Sequence, residues 1–85
     1  MPVESRVILY SRPGCHLCDE ARAILDRMRE RTPFEVDEIN IETDDALHAR
    51  YLERIPVVAV DGEELSEYFV DEEALIGRIL YREGR

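Results

Sequence analysis

The residues best equipped for chemistry are Cys15 and Cys18, the only two cysteines in the 85-residue chain, set within Ser11-Arg12-Pro13-Gly14-Cys15-His16-Leu17-Cys18. Two thiols at that spacing on the first turn of a helix can close a disulfide and reopen it. A helix start offers free N–H groups and the positive end of the backbone dipole, and both stabilise an anion. Cys15, at or just inside that start, is expected to have a depressed pKa and to be largely thiolate near neutral pH. Cys18, one turn on, is expected to point inward with Ala21 and Leu25. In the division of labour this implies, Cys15 attacks a substrate disulfide and Cys18 resolves the mixed disulfide, leaving the pair oxidised.

Nearby charge bears on that thiolate: Arg12 and Arg54 favour it, while Asp19 and Glu20 oppose it. A Cys-x-x-Cys pair is also half of a zinc site, and zinc wants four ligands. The other soft donors are His16, squeezed between the cysteines, and His48, with no partner at ligand spacing. No metal site within one chain is therefore expected, and a pair beside a βαβ pattern reads as redox. Two readings of His16 stay open, a tuner of the Cys15 thiolate or an exposed first-turn residue. His48 is read as a solvent-facing helix residue.

The flanking pattern supplies elements to hold the pair. Val7-Ile8-Leu9-Tyr10 is apolar throughout, as in a central strand covered on both faces, so Arg6–Ser11 is read as a buried strand. Pro13-Gly14 breaks it. A helix is expected from Cys15 to Arg31, where Leu17, Ala21, Ile24, Leu25 and Met28 form one apolar stripe. Its early acids and late arginines match the dipole, and Thr32-Pro33 stops it. Phe34–Ile41 reads as a second strand whose alternation slips between Val36 and Ile39, through cover on both faces or a bulge near Asp37-Glu38. Thr43 or Asp44 then caps a short helix to about Glu53, with Leu47, Tyr51 and Leu52 inward.

Ile55–Val60 is a third strand led by Pro56, and Asp61-Gly62 is a hairpin turn. Glu63–Val70 is its partner strand, with Leu65 and Tyr68-Phe69-Val70 as apolar content. Asp71 caps a last helix through about Tyr81, buried on Leu75, Ile76, Ile79 and Leu80. Gly77 within it costs about 1 kcal/mol relative to Ala, which a close packing contact would explain. The order is β-α-β-α-β-β-α, with the first two strands parallel and the last two antiparallel. A mixed four-stranded sheet with helices on both faces is the expected α/β fold.

Length fits a single domain over 1–85. An apolar content of 45% suffices for one core, and 36% charge falls short of disorder. No run approaches the ~20 apolar residues of a membrane span. Met1 to Arg6 lacks a signal peptide's basic start and long apolar stretch, so a cytoplasmic protein is expected. Thiols there are kept reduced, which argues against a structural staple. The net charge of −9 argues against nucleic acid and anionic membranes as partners. Residues 1–32 hold six Arg against five acids, and residues 33–85 hold five against fifteen. The cysteines thus lie in the less negative part. A monomer is expected.

The motif Arg-Pro-Gly-Cys-His-Leu-Cys after an apolar strand, with Arg54-Ile55-Pro56-Val57 before a Val-rich strand and the Asp61-Gly62 turn, resembles the glutaredoxins of the thioredoxin-fold family. The similarity runs over essentially the whole chain, and small glutaredoxin-like proteins with a divergent second half are most alike. The resemblance implies a thioredoxin-like, glutaredoxin-type fold with Cys15 as nucleophile and Cys18 as resolving cysteine. It further implies that Pro56 is a cis-proline facing the active site and that Ile55 presents its backbone to substrate. Arg12 matches a basic residue that helps hold a glutathione carboxylate. There are departures. His16-Leu17 replaces the usual Pro-Tyr, Arg54 replaces Thr, and Leu65-Ser66-Glu67-Tyr68 stands where the family has a Gly-Gly pair followed by an acid. Those glycines let backbone approach the γ-glutamyl end of glutathione, and Glu67 there would repel a carboxylate.

The expected function is a thiol–disulfide oxidoreductase that reduces protein or low-molecular-weight disulfides, with no bound cofactor. Its electron donor is glutathione or a thioredoxin-reductase-like flavoprotein. The rivals are a metal or iron–sulfur carrier, using one cysteine per subunit across a dimer, and a thioredoxin-fold binding module with incidental thiols.

Overall fold

The apolar run Val7–Tyr10 needs cover on both sides, and the strand that carries it lies inside the sheet between two helix layers. The computed structural model describes residues 5–83; Met1–Glu4, part of the stretch read above for a leader, lies outside them. Strand β1 (Ser5–Ser11) pairs in parallel with β2 (Phe34–Asn40) and antiparallel with β3 (Val57–Val60). Strand β4 (Glu63–Glu67) pairs antiparallel with β3, giving the order β2-β1-β3-β4. Helix α1 (His16–Arg29) connects β1 to β2. A 3-10 turn (Ile41–Thr43) leads to α2 (Asp45–Tyr51), and α3 (Glu72–Glu83) follows β4. The element order and the mixed four-stranded sheet are those expected from the sequence.

Strand alternation divides the core in two. Val7, Leu9, Val58 and Val60 face α1 and α3, where they pack with Ala21, Leu25, Met28, Phe34, Leu75 and Ile79. On the opposite face, Tyr10 and Val57 meet Ile41, Leu47, Tyr51, Leu52 and Ile55 around α2. Local signals set the element ends. Asp44 Oδ1 accepts the N–H groups of Ala46 and Leu47 at 2.8 and 3.2 Å, and Asp71 Oδ1 accepts that of Ala74 at 3.1 Å. Asp61 and Gly62 have φ of 53° and 87°, the left-handed pair that a tight primed hairpin turn requires.

Several expectations need correcting. Cys15 is the N-cap of α1 rather than its first residue, and with Cys18, Ala21, Leu25 and Met28 as the buried stripe Leu17 is left 47% exposed. The helix ends at Arg29, before Arg31. Strand β2 has no bulge, since Phe34 to Asn40 pair in unbroken register with Ser5 to Ser11. The alternation slipped because both faces of the strand are partly covered, Val36 on one and Asp37 and Ile39 on the other, while Glu38 stays exposed with its carboxylate held by Arg22 and Ser11. The irregularity lies instead between Val58 and Ala59.

Strand β4 stops at Glu67 rather than Val70. Tyr68 has φ +71°, a left-handed conformation that costs a residue with a Cβ about 1–2 kcal/mol. The chain turns outward there, leaving Tyr68 52% and Phe69 62% exposed, and only Val70 rejoins the core. Leu80 is also exposed, so α3 buries Leu75 and Ile79. A Cβ at Gly77 would meet nothing within 4 Å, which removes any close-packing role. Helix α2 ends at Tyr51, short of Glu53, and β3 begins only after Pro56.

Candidate active site

Beyond Ser11 the chain leaves β1 through Arg12-Pro13-Gly14, and Gly14 supplies a φ of +77° that side-chain-bearing residues avoid. The turn delivers Cys15 to the start of α1. Cys15 and Cys18 are disulfide-bonded, with Cα atoms 5.1 Å apart. Cys15 Sγ accepts the N–H of Cys18 at 3.1 Å, so a sulfur does the capping work usually done by an oxygen. The Cys15 carbonyl accepts the N–H of Asp19 at 3.1 Å, the first bond of the helix. Cys18 is fully buried while Cys15 is partly exposed. An approaching sulfur therefore meets Cys15 first.

Both acids that oppose a thiolate have partners. Asp19 Oδ1 accepts from Arg22 at 3.0 Å, and Glu20 Oε2 lies 2.9 Å from Nε2 of the exposed His16. Arg12 is exposed and has one long contact, Nε to Glu42 Oε2 at 3.7 Å. Beside it a polar recess of about 300 Å³ runs between Ser11, Pro13, Asp19, Arg22, Glu38 and Asn40. Buried Ser11 donates to Glu38 Oε2 at 2.6 Å, and Arg22 Nε donates to Glu38 Oε1 at 2.7 Å. The Arg22 bonds, helped by Ser11, hold the Glu38 carboxyl below its usual range. The same bonds raise Arg22. Sequence reasoning missed this cluster, although an acid in β2 at the same parity as Phe34 and Val36 was its signal.

On the other side of β1 the Ile55–Pro56 peptide bond is cis, with Pro56 buried and Ile55 packed on the smaller core. Arg54, just before it, is tied down rather than free. Its Nε donates to Glu67 Oε2 at 2.7 Å and its Nη2 bonds Glu64, while its guanidinium carbon lies 5.1 Å from the Tyr51 ring centroid. Tyr51 stacks on Tyr10 with centroids 4.3 Å apart and donates its hydroxyl to Glu64 Oε2 at 2.8 Å. Burial, then the bond to Glu64, push Tyr51 up to about 12. The Tyr51 bond, with Arg54, holds Glu64 below the usual carboxylate range. Arg54 thus offers little net charge to the disulfide, and the acid at Glu67 is matched.

Register brings these parts to one end of the sheet. Tyr10 pairs with Val57 and Val57 with Glu67, so Ser11, Pro56 and Tyr68 follow side by side. The Tyr68 N–H reaches the carbonyls of Pro56 at 2.8 Å and Arg54 at 3.3 Å. Tyr68 was expected inside a strand, and no local signal marked its left-handed turn. His48 is partly buried in α2. Among the described residues no group of three or more His, Cys, Asp or Glu side chains is arranged to hold a metal ion. Nor is any of their helices long and apolar enough to cross a membrane.

Residues 6–80 match the family model described as Glutaredoxin-like domain (DUF836). No curated protein matches. Among solved structures, protein Ne2328 from Nitrosomonas europaea is 31% identical with a TM-score of 0.83, covering 93% of this chain and 95% of its own. A structural-genomics target protein from X. campestris is 32% identical with a TM-score of 0.71, over 88% of this chain and 96% of its own. The glutaredoxin-like NrdH-redoxin from Escherichia coli, described as having a thioredoxin-like activity profile, is 27% identical with a TM-score of 0.53. That match covers 87% of this chain and 93% of NrdH-redoxin.

Proposed function

Because the chain belongs to the glutaredoxin-like domain family, we propose that it is a thiol–disulfide oxidoreductase acting on protein or low-molecular-weight disulfides. The observation that carries this reading is the unequal placement of the two sulfurs. Cys15 Sγ sits at a helix N-cap, accepting an N–H at 3.1 Å, and Cys18 is buried behind it. Reduced Cys15 attacks one sulfur of R–S–S–R′. A Cys15–S–S–R bond forms, the substrate S–S bond breaks, and R′S⁻ leaves to be protonated. Cys18 then loses its proton and attacks Cys15 Sγ, forming the intramolecular disulfide and releasing RS⁻, which is protonated in turn. Two electrons pass from the dithiol to the substrate, and an external donor returns two electrons and two protons.

In this reading Pro56 and the Ile55 backbone line the approach of the substrate. Arg12 is the cation that a substrate carboxylate meets, since a single 3.7 Å ion pair on the surface exchanges easily. His16 modulates the Cys15 thiolate through its pairing with Glu20. The reading assigns the protein to the cytoplasm as a monomer with no bound cofactor. As donor we favour a thioredoxin-reductase-like flavoprotein over glutathione. Arg54 is occupied by Glu64 and Glu67, and a tyrosine stands where glycines would admit the γ-glutamyl end. The activity profile described for NrdH-redoxin points the same way.

Disulfide-reduction assays with variants test the reading. Cys15→Ser should abolish turnover, and Cys18→Ser should stall as a mixed disulfide visible as a mass adduct. Retained turnover in Cys15→Ser would sink it, and stoichiometric zinc or an iron–sulfur absorbance in anaerobically purified protein would favour a carrier instead. Turnover with thioredoxin reductase should exceed that with glutathione and its reductase; the reverse order would overturn the donor assignment.

A further inference from the structure

We propose that the cluster of Ser11, Glu38, Arg22 and Asp19 keeps one net negative charge beside the start of α1, and that this charge makes Cys15 and Cys18 a stronger reductant than the helix start alone would. Glu38 is a positioning residue in this account: it touches no substrate and acts through Arg22 and the field it adds. The inference deepens the redox reading above and rests on it.

Three elements meet in the cluster. Ser11 ends β1, Glu38 lies in β2, and Asp19 and Arg22 belong to α1. Ser11 is the one polar residue buried among the described residues, and its hydroxyl donates to Glu38 Oε2 at 2.6 Å. Arg22 grips the same carboxylate with two nitrogens, Nε at 2.7 Å from Oε1 and Nη2 on Oε2, and reaches Asp19 Oδ1 with Nη1 at 3.0 Å. A forked guanidinium held at three points is fixed in place. The place is next to the cysteines. The Asp19 N–H bonds the Cys15 carbonyl at 3.1 Å, and the recess that the cluster lines takes in Arg12 and Pro13, on the loop that leads to Cys15. Asp19 follows Cys15 by four positions and Arg22 follows Cys18 by four, so each stands about one helical turn from a cysteine.

Arg22 is the single cation for two carboxylates, which leaves the cluster one negative charge. Its bonds hold the Glu38 carboxyl below the usual range, so that charge is present at neutral pH. The other charged groups near this end of the sheet are already coupled. Arg12 faces Glu42, His16 faces Glu20, and Arg50 and Arg54 face Glu64 and Glu67. A negative charge at this point opposes the Cys15 thiolate that the helix start stabilises. The thiolate belongs to the reduced form, so opposing it favours the disulfide and the pair gives up its electrons more readily. Stabilising the thiolate without this check would push the pair towards an oxidant.

The test equilibrates the full chain with dithiothreitol. The two protein sulfurs lose their protons and form an S–S bond, while the S–S bond of the oxidised reagent breaks and its sulfurs take up two electrons and two protons. The oxidised fraction is read by mass after alkylation. Above the Cys15 pKa and at low salt, Glu38→Gln should lower the equilibrium constant for oxidation about fivefold, a potential about 20 mV higher. Asp19→Asn should shift it the same way, and Arg22→Gln should raise it by a similar factor. Glu38→Gln and Arg22→Gln break the same bond, so a purely mechanical role moves both in one sense and a charge role moves them in opposite senses. The pH profile of Cys15 alkylation should agree, with its pKa lowered in Glu38→Gln and raised in Arg22→Gln, and high salt should shrink both shifts. Shifts of the same sign, or constants that stay at the wild-type value in both variants, would overturn the proposal and leave the redox reading intact. Where circular dichroism shows Glu38→Gln unfolded, the comparison of Asp19→Asn with Arg22→Gln decides in its place. A wild-type chain that the reagent cannot reduce and reoxidise would overturn both readings.

Discussion

The face of the sheet under α1 and α3 is closed by volume, with Leu9, Leu25, Leu75, Ile79 and their neighbours leaving little polar surface inside. The face under α2 is closed differently. It buries Ile41, Tyr51 and Val57, then finishes with the Tyr10–Tyr51 stack and the Arg54, Glu64 and Glu67 lattice. Helix α2 is seven residues long, too short to persist without tertiary support. The two faces share β1 and β3 but hold the site in different ways. The larger one anchors α1 and so buries Cys18. The smaller one fixes the cis-proline loop, because Arg54 stands two residues before Pro56 and Tyr68 is bonded to both of their carbonyls. One face supplies cohesion and the other supplies aim.

That contrast can be broken deliberately. Leu25→Ala empties the larger face and should lower unfolding free energy by about 2–5 kcal/mol in urea titration. The half-buried Leu47 on the smaller face should cost less than half as much when cut to Ala; equal losses would erase the distinction. Alkaline pH probes the smaller face alone. Tyr51 is raised to about 12 in the folded chain, so it keeps its proton where the unfolded chain, near 10, has lost it. Its contribution is full below pH 10 and disappears as pH climbs through about 12, an effect of about 2 kcal/mol. Tyr51→Phe should flatten that limb in a stability–pH profile. Glu64 has the opposite sign: its carboxyl is held down, so its contribution is present above the ordinary carboxylate range and lost as pH falls below it. The smallest effect is a gain. Gly77→Ala on the solvent side of α3 should add about 0.5–1 kcal/mol without touching either core.

Much of this was legible in the sequence. The run Val7–Tyr10, the Pro13-Gly14 break, the Asp61-Gly62 turn and the caps at Asp44 and Asp71 each rest on a local rule, and those rules held. The misreadings arose where tertiary context overrides local pattern. Cys18 lies inward with Ala21 and Leu25 as expected, but Leu17, one position earlier and about 100° round the helix, falls off that stripe. The alternation of β2 looked like a slip because both of its faces are half-covered, and the exposed Glu38 is matched by Arg22, sixteen residues away. Tyr68-Phe69 read as strand because aromatic residues favour strands, while the outward turn depends on carbonyls at Arg54 and Pro56. For the site, the cysteines stand out in the sequence, but the pairing of Arg54 with Glu64 and Glu67 is a long-range match that spacing cannot reveal.

One consequence of the cap at Cys15 concerns motion. The reacting sulfur is also the bracket that closes the first turn of α1, through the Cys18 N–H. A thiolate is a stronger acceptor than a disulfide sulfur, since charged acceptors form shorter and stronger hydrogen bonds. The resting reduced form should therefore have a stiffer helix start than the oxidised form, and each turnover should loosen and retighten it. Amide exchange at Cys18 would register the cycle, slow in the dithiol and faster in the disulfide. The redox state of the protein would then be written in the breathing of a single helical turn.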